Sequence, residues 1–127
     1  MTSKEALSAA RNSNKRGISA ILNFLGEDNT NNKSIEQTVK EYCLLLDFVS
    51  KDGIDGSISV KPTQVGLKRG YEECLNNLRQ ISKKSKSLGK FMWIDIESFE
   101  YVQNTISIYL DLFKENSLIG VALQSYL

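Results

Sequence analysis

The sequence predicts an α/β fold built from parallel β/α repeats. Four short segments rich in β-branched and aromatic residues alternate with longer segments in which apolar residues recur every three or four positions. One strand and the helix after it take roughly 30 to 40 residues, which suits a βα unit. The apolar fraction of 41% and the charged fraction of 24% are those of an ordinary globular protein. Strict alternation of strand and helix favours a parallel sheet covered by helices.

Each element follows from a local pattern. The predicted strands are residues 18–25, 57–61, 91–96 and 119–125. A short polar helix over residues 4–12 precedes the first strand. In the second helix, Ser34 is the expected N-cap, Gln37 completes a capping box, and an apolar stripe follows over residues 35–49. The third helix carries a stripe over residues 74–88 and ends at Gly89, and the fourth spans about residues 101–114.

The order of elements suits two architectures. A doubly wound open sheet and a (β/α)8 barrel both alternate strand and helix in this way. The length of 127 residues favours the smaller open sheet, since a closed barrel usually takes ~250 residues. The chain ends just after the fourth strand, so we expect further sequence or another subunit to cover that strand.

Charge excludes one class of partner. The net charge of +1 arises from 16 basic and 15 acidic residues, without the broad positive field that nucleic acid selects. We therefore expect no nucleic-acid partner. The densest basic stretch falls at the end of the third predicted helix, where cations stabilise the negative end of the helix dipole. It consists of Lys83, Lys84, Lys86 and Lys90.

Metal-ligand and thiol-catalysis patterns are absent from the sequence. It contains no His, and Cys43 and Cys74 lie inside apolar helical runs without a CxxC pair. We expect no metal site, and a reducing cytoplasm suits these cysteines best. We also expect no signal peptide and no membrane span, because no apolar run approaches ~20 residues. Peripheral contact with a membrane stays open.

Polar residues stand where each predicted strand ends. The first strand runs into Asn23 and Glu27, the second into Lys61, the third into Asp95 and the fourth into Gln124. Ligands of parallel α/β folds bind at the carboxyl ends of strands, so these side chains are the candidate site. Lys61 and Asp95 lie at the same level of adjacent strands. They predict either a half-buried ion pair or an anchor for a ligand that carries both charges.

Four segments resemble, in order and spacing, the first four strands of the proline dehydrogenase family. They are LNFLGE at 22–27, SISVKPTQVGL at 57–67, FMWIDIESFEY at 91–101 followed by TISIY at 105–109, and GVALQSYL at 120–127. The resemblance divides the chain into a helical lead-in over residues 1–16 and a partial barrel over residues 17–127. It implies the first half, about four strands, of a TIM-type (β/α)8 barrel.

The resemblance also implies a chemistry. Members of the family are oxidoreductases that use FAD to oxidise L-proline to Δ1-pyrroline-5-carboxylate, with the cofactor accepting a hydride. Lys61 would contact the proline carboxylate and border the flavin, and Asp95 would join it in the catalytic polar network. Gln124 would hydrogen-bond the flavin ring, and Glu27 would close over substrate by pairing with an arginine beyond this chain. Asn23 stands where the family commonly has Asp.

The resemblance leaves four strands of a barrel unaccounted for. We therefore expect this chain to be inactive alone and to need the C-terminal half of the barrel or a second chain as partner. An electron acceptor such as a quinone, and the choice between proline and hydroxyproline, are not determined by these residues. The alternative is a non-catalytic α/β interaction or regulatory module in which the strand-end residues serve only as ion pairs. An unrelated enzyme on the same scaffold is a further alternative.

Overall fold

The computed structural model describes residues 1–126 and contains one sheet of four parallel strands in chain order. Leu127, the last residue of the predicted barrel region, lies outside the described residues. The strands are β1 Ala20–Leu22, β2 Gly56–Val60, β3 Met92–Asp95 and β4 Ile119–Ala122. The helices are α1 Ser3–Lys15, α2 Asn32–Lys51, α3 Tyr71–Ser87 and α4 Val102–Phe113, with 3-10 turns at Pro62–Val65 and Phe99–Tyr101.

The helices cover one face of the sheet. Apolar side chains of all four helices join alternate strand residues, among them Ile58, Val60, Met92 and Ile94, in one buried cluster. The opposite face is open in the described part of the chain, and Ile21 on it is 61% exposed. Sequential strand order with helices on one side is the arrangement of a (β/α)8 barrel and not of a doubly wound sheet. The predicted parallel β/α fold is confirmed, and the preference from length for an open doubly wound sheet is wrong.

Three of the four strands are shorter than the sequence predicts, and all four end earlier. The predicted strand 119–125 ends at Ala122, and the predicted strand 18–25 is reduced to Ala20–Leu22. Residues beyond these points leave the ladder and bond to other segments. Gln124, for example, donates a hydrogen bond from Nε2 to the Ile96 carbonyl over 3.4 Å. Among the candidate site residues, Glu27, Lys61 and Gln124 follow the ends of strands, and Asp95 is the last residue of β3.

Helix α2 begins earlier than predicted. Its N-cap is Asn31, whose side chain accepts a hydrogen bond from the Ser34 N–H at 3.1 Å. The prediction that Ser34 is the N-cap with Gln37 in a capping box is therefore wrong. Asn caps a helix about as well as Ser, and Asn31 takes the position one turn upstream. The hydroxyl of Ser34 instead accepts a hydrogen bond from Asn29 Nδ2 at 3.0 Å.

Trp93 lies on the open face of the sheet against the backbone of β4. A methyl group added at Gly120 would approach the Trp93 ring to 2.7 Å, closer than real contacts allow. Phe91 packs against the same ring at a tilt of 49°, with 4.8 Å between the ring centroids. Gly120 thus leaves the space over β4 that this indole occupies.

Replacing Gly120 with Ala should destabilise the chain by about 1–3 kcal/mol, because the new methyl group forces the indole off the strand. The chain has one tryptophan, so its fluorescence reports the displacement directly. In a Trp93→Phe background the same substitution should cost less, since a smaller ring has room to move. An equal cost of Gly120→Ala in both backgrounds, measured by urea unfolding, contradicts this account.

The hydroxyl of Tyr42 joins the ends of β1 and β2 inside the core. Tyr42 is fully buried, and its oxygen accepts the Phe24 N–H at 3.2 Å. The same oxygen lies 2.9 Å from both the Ser59 carbonyl and Gln64 Oε1, so its proton is shared between two acceptors. Burial raises the pKa of Tyr42 to about 12, which keeps the hydroxyl neutral.

Tyr42→Phe should lower the free energy of unfolding by about 1–3 kcal/mol, because it leaves the Phe24 N–H without its acceptor. Tyr109→Phe is the matched control. The Tyr109 side chain is half-buried, and within residues 1–126 its hydroxyl makes no hydrogen bond, so its loss should change stability by less than about 0.5 kcal/mol. Similar urea midpoints for the two variants would show that the Tyr42 hydroxyl contributes nothing.

Candidate functional site

Four of the five strand-end residues that the sequence singles out line one open cleft, and Asn23 does not. The cleft has a volume of about 430 Å³ and lies at the carboxyl ends of β2, β3 and β4. Its lining residues are Glu27, Lys61, Asp95, Ile96, Glu97, Ser98, Ala122, Leu123 and Gln124. Glu27 comes from the loop after β1, Lys61 follows β2, Asp95 ends β3, and Gln124 follows β4. The strand ends therefore bring together side chains far apart in sequence.

Lys61 pairs with Glu27. Its Nζ lies 3.5 Å from Glu27 Oε2, and the two side chains are 32% and 62% exposed. An exposed pair at this distance contributes little to stability, so either partner can exchange for another at low cost. Glu27 thus neutralises the charge of the Lys61 ammonium group, but the ion pair between them is weak.

Asp95 is held by a neighbouring strand. Its Oδ1 accepts a hydrogen bond from Ser59 Oγ at 2.6 Å. The predicted ion pair between Lys61 and Asp95 is not formed among the described residues. Lys61 leads into the 3-10 turn at Pro62–Val65, and its side chain reaches Glu27 instead. The other interpretation, in which Lys61 and Asp95 offer opposite charges to one ligand, is compatible with these positions.

Gln124 stands at the β4 side of the cleft. Its 3.4 Å hydrogen bond to the Ile96 carbonyl is long, and the side chain is half-buried. Within residues 1–126 the amide oxygen accepts no hydrogen bond. Asn23 is exposed and lies beside Ser59, Trp93 and Asp95 on the open face of the sheet.

Glu97 also lines the cleft, although no sequence pattern assigns it a role. Its carboxylate accepts the Thr63 N–H at 2.9 Å and also accepts the Thr63 hydroxyl. Burial raises the pKa of Glu97 above its usual 4.5, while the hydrogen bonds from Thr63 act in the opposite direction. The signal that could have identified it is its place two residues after Asp95, at the same strand end.

The charged side chains of the cleft are unequal in number. Three carboxylates, on Glu27, Asp95 and Glu97, share the lining with the single ammonium group of Lys61. Such a site suits a ligand that carries a positive charge as well as a negative one. A ligand with several negative charges would need cations from outside these lining residues.

The basic stretch at the end of α3 makes local contacts away from the cleft. Lys84 pairs with Asp47 at 2.7 Å, and Lys86 and Lys90 donate to the carbonyls of Glu115 and Ile54 at 2.8 and 2.9 Å. These bonds support the interpretation of the stretch as structural. No helix within residues 1–126 combines the length and apolar character needed to cross a bilayer.

The raised pKa of Glu97 predicts a pH-dependent difference in stability between the native chain and Glu97→Gln. A carboxyl group whose pKa is higher in the folded state stabilises the fold below about pH 4.5 and loses that contribution as pH rises through the folded value. The unfolding free energy of the native chain, minus that of the variant, should therefore fall as pH increases above 4.5. A difference that rises over this range, in urea titrations at several pH values, would refute the assigned direction.

The family model described as proline dehydrogenase matches residues 6–127. Proline dehydrogenase 1 of Bacillus subtilis subsp. natto is 28% identical over 126 residues, which cover 99% of this chain and 42% of the relative. The proline dehydrogenase of Deinococcus radiodurans is 28% identical over 129 residues, with coverage of 98% and 42%. This chain thus spans about two fifths of the length of these curated relatives.

Solved structures show the same fold. Proline utilization A from Bdellovibrio bacteriovorus, inactivated by N-propargylglycine, has a TM-score of 0.87 at 18% identity and covers 99% of this chain and 16% of that protein. Proline utilization A from Corynebacterium freiburgense has a TM-score of 0.79 at 22% identity, with coverage of 98% and 14%. At these identities the structures support the fold alone. Because the family model matches nearly the whole length, this chain belongs to the proline dehydrogenase family.

Proposed function

We propose that this chain supplies part of a site for the FAD-dependent oxidation of L-proline to Δ1-pyrroline-5-carboxylate. The observation that carries the proposal is the convergence of Glu27, Lys61, Asp95 and Gln124 on one cleft. Family membership supports proline oxidation as the chemistry. The single cation of the cleft and the greater length of the relatives support a second part, either the C-terminal half of a barrel or another chain.

Lys61 and Asp95 would act on opposite charges of the substrate. The ammonium group of Lys61 would bind the proline carboxylate. Oxidation removes a proton from the ring nitrogen, which passes to solvent, and a hydride from the carbon beside that nitrogen. Positive charge develops on the nitrogen as the hydride leaves. The carboxylate of Asp95, fixed by Ser59, would stabilise that charge. Its hydrogen bond to Ser59 keeps Asp95 oriented without neutralising it.

The donor set fits the ring of a flavin and not its phosphates. The edge of an isoalloxazine ring carries both hydrogen-bond donors and acceptors, which an amide such as that of Gln124 matches in either direction. Lys61 and Asp95 would border the same ring. The pyrophosphate would need cations beyond the one in this cleft. When bound, FAD would supply the acceptor for the hydride.

Glu27 would change partners when substrate binds. In the structure it neutralises Lys61 across 3.5 Å, and its side chain is mostly exposed. A substrate carboxylate at Lys61 would take over that role. Glu27 would then pair with a cation from another segment and close over the ligand.

The alternative of a non-catalytic module has weaker support. It expects the strand-end charges to pair only with one another. Lys61 and Glu27 satisfy this expectation, but the hydrogen bond to Asp95 comes from a hydroxyl and not from a cation.

Lys61→Met should weaken binding of L-proline at least tenfold, because a charged hydrogen bond contributes about 1.5–3 kcal/mol. The measurement is an NMR titration of the purified chain with L-proline in the presence of FAD. Lys83→Met is the control, since Lys83 is exposed on α3 outside the cleft lining. Measurable and equal affinities for the two variants would remove Lys61 from the substrate site.

The first test of cofactor binding is the visible absorbance of the chain after incubation with FAD and removal of free ligand. Retained flavin supports a cofactor site built from these strands. A folded chain that retains no flavin and binds no proline, alone or with a chain that completes the barrel, would favour the non-catalytic alternative.

A further inference from the structure

We propose that Thr63 is a positioning residue that holds Glu27 and Glu97 on two sides of the cleft. Thr63 is 1% exposed, and its side chain does not line the cleft. It acts through the two carboxylate residues that do. The roles given to those carboxylates rest on the proposed function, while the placement by Thr63 rests on the contacts below.

On one side, Thr63 fixes the loop just after Glu27. Its Oγ1 accepts the Asp28 N–H at 3.0 Å, and its carbonyl accepts the Asn29 N–H at 2.9 Å. Asp28 has a φ of 57°, a left-handed conformation that is uncommon for residues other than glycine. The bond to Thr63 and an ion pair with Lys68 at 3.1 Å hold Asp28 in that conformation.

On the other side, Thr63 fixes Glu97. Its N–H and its hydroxyl both donate to the Glu97 carboxylate. A hydroxyl has one proton, and this one is used on Glu97, which leaves the lone pairs of Oγ1 for the Asp28 N–H. The chain of bonds from the Asp28 amide to Glu97 therefore has one direction, and each bond polarises the next.

The neighbouring residue, Gln64, anchors the other end of the same loop. Its Nε2 donates to the Phe24 carbonyl at 2.7 Å. Two consecutive residues of one turn thus hold Phe24 and Asp28, and only residues 25–27 lie between these anchors. Leu25 is 98% exposed and Gly26 has a φ of 124°, so this stretch is the part of the loop that can move. Together with Gln64, Thr63 therefore limits the movement of Glu27 to that of a three-residue segment.

The test compares Thr63→Val, Thr63→Ser and native chain by amide hydrogen exchange resolved by NMR. Val keeps the shape of Thr but removes the acceptor for the Asp28 N–H, so exchange at Asp28 should accelerate at least fivefold. Ser restores the hydroxyl and should keep exchange within twofold of native. Thr30→Val is the matched control, because Thr30 is an exposed threonine in the same loop.

Unchanged exchange at Asp28 in Thr63→Val would overturn the proposal, as would a failure of Ser to restore it. If the Val variant does not fold, Glu97→Gln provides the same test from the other side. The substitution replaces one carboxylate oxygen, which accepts a hydrogen bond from Thr63, by an amide NH2 group, which can only donate. Exchange at Asp28 should then rise at least twofold, and native exchange would refute the directed chain of bonds.

These measurements need neither flavin nor proline, so their outcome is separate from that of the proposed function. Repeating the exchange with L-proline present tests the function itself through protection near Lys61. Thr63 can position the loop in a chain that binds no proline, and proline can bind in a chain whose loop does not depend on Thr63.

Discussion

Sequential parallel pairing of the four strands is the constraint on which the cleft depends. Because the strands share one direction, their carboxyl ends lie along one edge, and side chains from four distant segments meet there. Asp95 pairs in register with Ala122, and Val60, just before Lys61, pairs with Ile94. A slip of one residue would turn the open-face side chains of a strand into the core. The chemistry of the cleft is therefore inseparable from the register.

The turn after β2 converts that alignment into a shaped site. Its two polar residues, Thr63 and Gln64, are buried, although polar side chains avoid burial unless their hydrogen bonds are met. Theirs are met by the loop after β1, by Tyr42 in the core and by Glu97 beyond β3. One short turn thus connects three of the four strand ends, which explains why residues that do not line the cleft control its geometry.

The sequence predicts the elements, and which residues line the candidate cleft, better than it predicts their contacts. Alternating composition identifies the four strands, and the polar residues at their ends identify Lys61 and Asp95 as neighbours. The partner of Lys61 was not predictable, because it depends on the path of the chain after β2. The role of Glu97 depends on Thr63, 34 residues away in sequence, and no local pattern reports such a contact. Asn31 and Ser34 are both good caps, so the local pattern alone does not determine where α2 begins.

Charge in the cleft determines how a zwitterionic ligand could enter it. Lys61 is already neutralised by Glu27, so a ligand carboxylate must compete for the same ammonium group. The exchange is cheap because the pair is exposed. In the proposed function, Glu27 neutralises the positive charge of Lys61 until the substrate binds. Once displaced, Glu27 would be a fourth negative group beside the ligand carboxylate, Asp95 and Glu97. A cation from another segment would stabilise Glu27 in that position, whichever chain supplies it.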